Sequence, residues 1–132
     1  MRGRCAAAGL VVAVVFAAGC GAEDHPNEPR PAAPVELSAK VDDRKVVVVP
    51  DRVGAGLATV TISNQSADDV EVAFEGPSNG STEPIPAGGV GSLQLELETG
   101  EYSIESNVPT ISSTTMSVGA PRPSAQNKLL LP

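Results

Sequence analysis

Between Val35 and Val118 the apolar side chains return every second residue, not every third or fourth. Val35, Leu37 and Ala39 alternate with Glu36, Ser38 and Lys40. Ala58, Val60 and Ile62 alternate with Thr59, Thr61 and Ser63. Val70, Val72 and Phe74 are interleaved with Glu71, Ala73 and Glu75, and Leu93, Leu95 and Leu97 with Gln94, Glu96 and Glu98. Tyr102 and Ile104 alternate with Ser103 and Glu105, and Thr114, Met116 and Val118 close the series. Neighbouring side chains of a strand point to opposite faces, so this pattern predicts strands with one face in a core and one in water. Lys45 to Val49 is a continuous β-branched run and predicts a strand buried on both faces or a sheet crossover. Turn clusters lie between the strands: Asp42-Asp43, Pro50-Asp51, Asn64-Gln65-Ser66, Pro77-Ser78-Asn79-Gly80, Pro86-Ala87-Gly88-Gly89 and Thr99-Gly100. No helix and no internal repeat is expected. The prediction is an all-β fold, a Greek-key β-sandwich of about seven strands.

The ends of the chain break the pattern. Arg2 and Arg4 precede an apolar stretch, Ala6 to Ala18, that is too short to span a bilayer and leads through Ala17-Ala18-Gly19 into Cys20. This is the layout of a secretory signal with a small-residue cleavage site. The cysteine at that junction resembles the lipobox of bacterial lipoproteins, with Ala17 where that pattern prefers Leu. The resemblance implies cleavage between Gly19 and Cys20, lipid (palmitate) on Cys20, and attachment at the extracytoplasmic face of a bacterial cell membrane. Residues 20–34, rich in proline and charge, are expected to be a tether. The domain is expected over 35–119 and an irregular tail over 120–132, whose Leu129-Leu130-Leu131 either packs back or is exposed.

Leu97-Glu98-Thr99-Gly100-Glu101-Tyr102 has the Leu-x-x-Gly-x-Tyr spacing of a tyrosine corner. There the hydroxyl turns back to bond nearby backbone and pins a Greek-key crossover. The bland alternative is a turn followed by a core tyrosine, and Leu97, Gly100 and Tyr102 are structural either way.

Charge and composition narrow the chemistry. The formal net charge is −7, which argues against nucleic acid and against direct docking on anionic lipid. Aromatic residues make up only 2% of the chain, so the core must come from Val, Leu, Ile and Ala.

Val35 to Val118 resembles a cupredoxin-like domain. The resemblance is carried by the opening Val-Glu-Leu-Ser-Ala strand, by Pro50 to Gly56 ahead of the strand ending Thr61-Ile62-Ser63-Asn64, and by Ile85-Pro86-Ala87-Gly88-Gly89. Gly100 to Ile104 and Met116-Ser117-Val118 complete it. The order is similar to cupredoxin-like domains of bacterial envelope proteins, including those attached to iron-uptake lipoproteins. Copper-binding members of the family use two histidines, a cysteine and usually a methionine, soft ligands that set the metal's geometry and potential. In them the Gly-x-Tyr strand runs into a loop carrying Cys, His and Met. Here that stretch is Glu105 to Ile111, which holds none of the three. The one histidine, His25, falls in the tether, and Met116 falls within the last strand as a core residue. Blue-copper electron transfer is therefore excluded by ligand chemistry.

The same absence removes Ser-His-Asp and Cys-His catalysis. Lys40 and Lys45 read as strand-edge surface residues rather than partners of an activated serine, and no zinc, Walker or Rossmann pattern is present. Asn64-Gln65-Ser66 and Asn79-Gly80-Ser81 match a glycosylation sequon, but the bacterial lipobox argues against it and Asn-Gly is better read as a tight turn. Carboxylates remain: Asp42-Asp43, Asp68-Asp69, and Glu96, Glu98, Glu101 and Glu105 around one expected hairpin. The expectation is a lipid-anchored, non-catalytic envelope module without cofactor, its partner an envelope protein. The alternative is an accessory protein handling iron, copper or calcium through Glu96, Glu98 and Glu101.

Overall fold

The computed structural model describes residues 30–124. The signal segment, Cys20, His25 and the Leu129–Leu131 run lie outside the described residues. Eight strands follow one another: β1 (Val35–Val41), β2 (Val46–Val49), β3 (Arg52–Asn64), β4 (Val72–Glu75), β5 (Gly80–Ser81), β6 (Val90–Leu97), β7 (Gly100–Ser106) and β8 (Thr114–Pro121). No helix of the described residues is long and apolar enough to cross a membrane.

The long β3 joins two sheets into a sandwich. Its second half lies between β1, parallel, and β6, antiparallel, with β2 beyond β1. Its first residues pair in parallel with β8, and that sheet continues through β7 and β4 to β5. The strand changes sheets at Gly54-Ala55-Gly56, where its register against β8 shifts. Gly56 has φ +131°, a conformation that L-residues rarely adopt. A β-carbon on Gly54 or Gly56 would also strike the Arg122 side chain, which lies across this bend. The crossing needs glycine for both reasons.

The alternating positions meet between the sheets. Leu37, Val60, Ile62, Val72, Phe74, Tyr102, Ile104 and Met116 are all 2% exposed or less. Met116 is a core residue packed among aliphatic side chains, not a surface ligand.

Several elements differ from the sequence expectation, each for a physical reason. The Lys45–Val49 run is not buried on both faces. β2 is an edge strand: Val46 and Val48 point inward, and Val49 is 61% exposed. Strand β3 starts at Arg52, not Leu57, because the glycines at the bend interrupt the alternation without ending the strand. Val70 stands outside β4 and makes an isolated bridge with Ile85. Gly80, expected in a turn, belongs to the short β5, while the turn itself is closed by Asn79 Oδ1 accepting the Gly76 N–H (3.0 Å). Strand β8 runs on through Pro121 instead of giving way to a tail at Ala120, since a proline at a strand's end forfeits no needed ladder bond.

The expected carboxylate hairpin is also absent. β6 pairs with β3 in one sheet and β7 with β8 and β4 in the other, so Thr99-Gly100 is a crossover between sheets. Glu96 therefore stands on one sheet and Glu101 and Glu105 on the other, with Glu98 in the crossover between them.

Candidate functional site

The sandwich has two ends. At the head, the β1–β2 turn, the segment after β3, the approach to β6 and the β7–β8 loop come together. Asn64, fully buried at the end of β3, organises them. Its Nδ2 donates to the carbonyls of Asp68 (2.8 Å) and Ile85 (2.9 Å). Its Oδ1 accepts the Ser66 N–H (2.9 Å) and the Ser66 hydroxyl (2.7 Å). Its backbone N–H reaches Gly89 O and its carbonyl accepts the Gly88 N–H, both at 2.9 Å. With every polar group of Asn64 engaged inside the protein, this sequon is not open to modification in the folded chain.

The head's aspartates are latches. Asp42 Oδ1 accepts the N–H groups of Arg44 (3.0 Å) and Lys45 (3.1 Å), and Oδ2 pairs with Lys40 Nζ at 3.1 Å. The Arg44 N–H, then Lys40 and the Lys45 N–H hold the Asp42 carboxyl down at about 2. Asp43 Oδ1 accepts the Ala67 N–H (2.9 Å), and Asp69 Oδ1 accepts the Ala87 N–H (3.2 Å).

The loop between β7 and β8 is fastened in the same way. Asn107 exchanges two bonds with Glu71: its side-chain oxygen accepts the Glu71 N–H (2.9 Å) and its own N–H donates to Glu71 O (3.1 Å). Ser112 bonds Arg44 O and the Val46 N–H. Ile111 is buried in the core and Val108 packs against it. Apolar side chains and neutral amides thus fill the loop where the resemblance places copper ligands. The donor set does not fit copper: residues 30–124 contain neither His nor Cys. Among the described residues no three of His, Cys, Asp and Glu converge on a point where a cation would be held.

At the foot, Tyr102 and Arg122 tie the fold together. The fully buried Tyr102 places its hydroxyl 2.9 Å from the Glu98 N–H, four residues upstream, which is a tyrosine corner. The same oxygen accepts the Ser78 N–H (3.3 Å) and shares a 2.7 Å bond with the Ser78 hydroxyl. Ser78 in turn donates to Glu96 O at 2.6 Å. Gly100 opens this turn at φ +151°, packed so closely on Pro77 that a β-carbon would lie 2.6 Å from its ring. Leu97 is buried beside it.

Arg122 binds three carbonyls, Gly54 O (3.2 Å), Leu57 O (2.7 Å) and Ala33 O (2.7 Å), and its N–H reaches Ala55 O. It therefore clips the segment entering β1 to the segment leaving β8. Around this clip runs an open, mostly apolar groove of about 700 Å³ whose lining includes Pro31, Pro34, Leu57, Leu97 and the acidic Glu96 and Glu98.

Ser78, Asn64 and Arg122 were missed as functional positions by sequence reasoning. The partners of Ser78 and Arg122 are distant in the chain, so local pattern carried no signal for them. One signal was available and unread: from Val53 to Pro121 there is no lysine or arginine, while Asp68, Asp69, Glu71, Glu75, Glu83, Glu96, Glu98, Glu101 and Glu105 all fall in that span. Every charged residue in that span is acidic. The cations lie elsewhere, on the β1–β2 corner and at the foot.

No family model matches the chain, and no curated protein does. A solved structure described as "Crystal structure of multicopper oxidase" is similar over 68% of this chain, with a TM-score of 0.52 and 13% identity. The chain spans 46% of the length of that protein. At such identity the likeness shows the fold alone, and the fold is cupredoxin-like.

Proposed function

We propose that this chain is a lipid-anchored, non-catalytic interaction module of the cell envelope, built on a cupredoxin-like frame that does not use a metal. The observation that carries the non-redox reading is the β7–β8 loop. Its chain is closed by Val108 and Ile111 packed on the core and by Asn107 bonded to Glu71, and the described residues contain neither His nor Cys. A loop plugged by apolar side chains offers neither ligands nor room for a metal.

The anchoring half of the proposal rests on Ala17-Ala18-Gly19-Cys20 and on the foot. Arg122 holds Ala33 at the foot, so a chain tethered through its N-terminal side presents the head loops away from the membrane. Arg30 is ten residues from Cys20, a distance of at most about 35 Å even when fully extended.

Two measurements test the two halves separately. Cells expressing the full chain should hold it in the membrane fraction and release it with Cys20→Ser; retention of that variant refutes the anchor. Calorimetric titration of the protein with Cu(II), Fe(III) and Ca(II) should give no stoichiometric heat. Micromolar one-to-one binding of any of them refutes the metal-free reading.

A further inference from the structure

The sandwich has three outer strands, and they are not equally protected. β5 is two residues long, and β2 is four. Short edges offer little to pair with. β6 has eight residues and pairs only with β3. It contains no proline and no lysine, and Glu96 is its one charge.

The direction of its free backbone groups follows from register. Asn64 N–H bonds Gly89 O, and the pairs Ile62–Gly91, Val60–Leu93, Ala58–Leu95 and Gly56–Leu97 continue that alignment. Backbone groups alternate sides along a strand, so Gly91, Leu93, Leu95 and Leu97 face β3. Val90, Ser92, Gln94 and Glu96 present their N–H and C=O groups to the open edge. Glu96 O, taken by the Ser78 hydroxyl on that side, has the orientation this alternation requires. All four residues are exposed, Val90 to 68%.

We infer that the open edge of β6 is a docking site for an extended, basic polypeptide segment that joins the sheet as an added strand. Its backbone would bond Val90, Ser92 and Gln94. Its side chains would alternate between the outer face, beside Gln94 and Glu96, and the seam of the sandwich, where Leu93 and Leu95 close over Gly80. The fitting segment thus carries Lys or Arg at every second position and small apolar residues between them. Charge selects this occupant. The span from Val53 to Pro121, which takes in β6 and nearly all of its partner β3, holds nine carboxylates and no lysine or arginine. A second copy of this chain would bring the same acidic edge and a further charge of −7.

This inference rests on the interaction-module reading and names its partner's chemistry. The experiment uses the full chain in detergent and an alternating Lys-Val heptapeptide, followed by amide hydrogen exchange. The peptide should slow exchange at Val90, Ser92 and Gln94 and leave Leu93 and Leu95 unchanged, since β3 already holds their N–H groups. Binding should weaken as salt rises, and an alternating Glu-Val peptide should not bind. Gln94→Pro removes one free-edge donor without touching the β3 ladder and should weaken binding about tenfold or more, the equivalent of a backbone hydrogen bond. If that variant does not fold, the exchange pattern of the unaltered chain decides. The inference is overturned if protection falls elsewhere, if both peptides bind alike, or if β6 is protected by self-association alone. None of these outcomes bears on membrane retention through Cys20, which the fractionation experiment tests separately.

Discussion

Replacing Tyr102 by Phe removes one oxygen from the foot of the sandwich and leaves the buried ring packing in place. That oxygen accepts the Glu98 N–H at 2.9 Å and the Ser78 N–H at 3.3 Å, and meets the Ser78 hydroxyl at 2.7 Å. The Ser78 hydroxyl keeps a partner, because it also donates to Glu96 O. The two backbone donors lose theirs. A buried donor left unpaired costs about 1–3 kcal/mol, and these two sit at a partly buried site with one long bond between them. The expected loss is therefore about 2–3 kcal/mol, mostly from Glu98. For a domain of about 100 residues each kcal/mol lowers the melting temperature by roughly 4–8 °C, so Tyr102→Phe should melt roughly 8–24 °C lower. Urea unfolding should show the midpoint falling with an unchanged slope, because the surface exposed on unfolding is nearly the same. A Ser78→Ala cycle apportions the loss between the two partners. A change below about 0.5 kcal/mol for Tyr102→Phe, the range of an ordinary surface substitution, would refute the view that this corner pins the crossover between β6 and β7.

Three further outcomes follow from the same bonds. Asn64→Ala deletes four side-chain hydrogen bonds in a fully buried site and should cost about 3–4 kcal/mol in urea unfolding, with accelerated exchange at the Ser66 and Gly88 amides. Arg122→Met keeps the aliphatic stem but frees the carbonyls of Ala33, Gly54 and Leu57; stability should fall by about 1–3 kcal/mol, and limited proteolysis should cut near Ala33 sooner. The Asp42 carboxyl should titrate at about 2 by NMR. Because its folded value lies below its ordinary 3.8, the stability it contributes is present above that value and is lost as pH falls toward 2. Asp42→Asn should flatten that part of the acid unfolding curve, and an unchanged curve would remove Asp42 from the acid response.

The strands with one wet face were legible because burial imposes a two-residue period that the sequence displays. Phe74, Ile104 and Met116 all point inward as the alternation requires. Legibility ended where neighbours distant in the chain decide the outcome. The valine run of β2 looks the same in sequence whether a second strand covers it or water does, and here β1 is the one strand paired with it. The glycines of β3 hid its first half, since a bend that switches sheets has no period to show. A two-residue β5 is too short to carry one. The four glutamates near Thr99 looked like one cluster because β6 and β7 are consecutive, yet consecutive strands in a Greek key need not pair. The acidic, lysine-free span from Val53 to Pro121 needed only a count, and its meaning depended on knowing that β6 is an edge.

The head loops of this cupredoxin-like frame are held by hydrogen bonds and apolar packing. In the copper-binding pattern the loop after the Gly-x-Tyr strand is held at the metal by its ligands. Here the same loop must be held by other means, and the structure supplies them on three sides: Asn107 to Glu71, Ser112 to Arg44 and Val46, and Ile111 into the core. Asn64 then fixes the neighbouring loops from beneath, using every polar group it has. These bonds join neutral groups and turn the polar atoms of the loops toward one another. Along β6, Val90, Ser92 and Gln94 turn their backbone groups to the open edge, and no lysine or arginine falls between Val53 and Pro121. On the interaction-module proposal, an open edge in so acidic a span suits an extended segment of opposite charge.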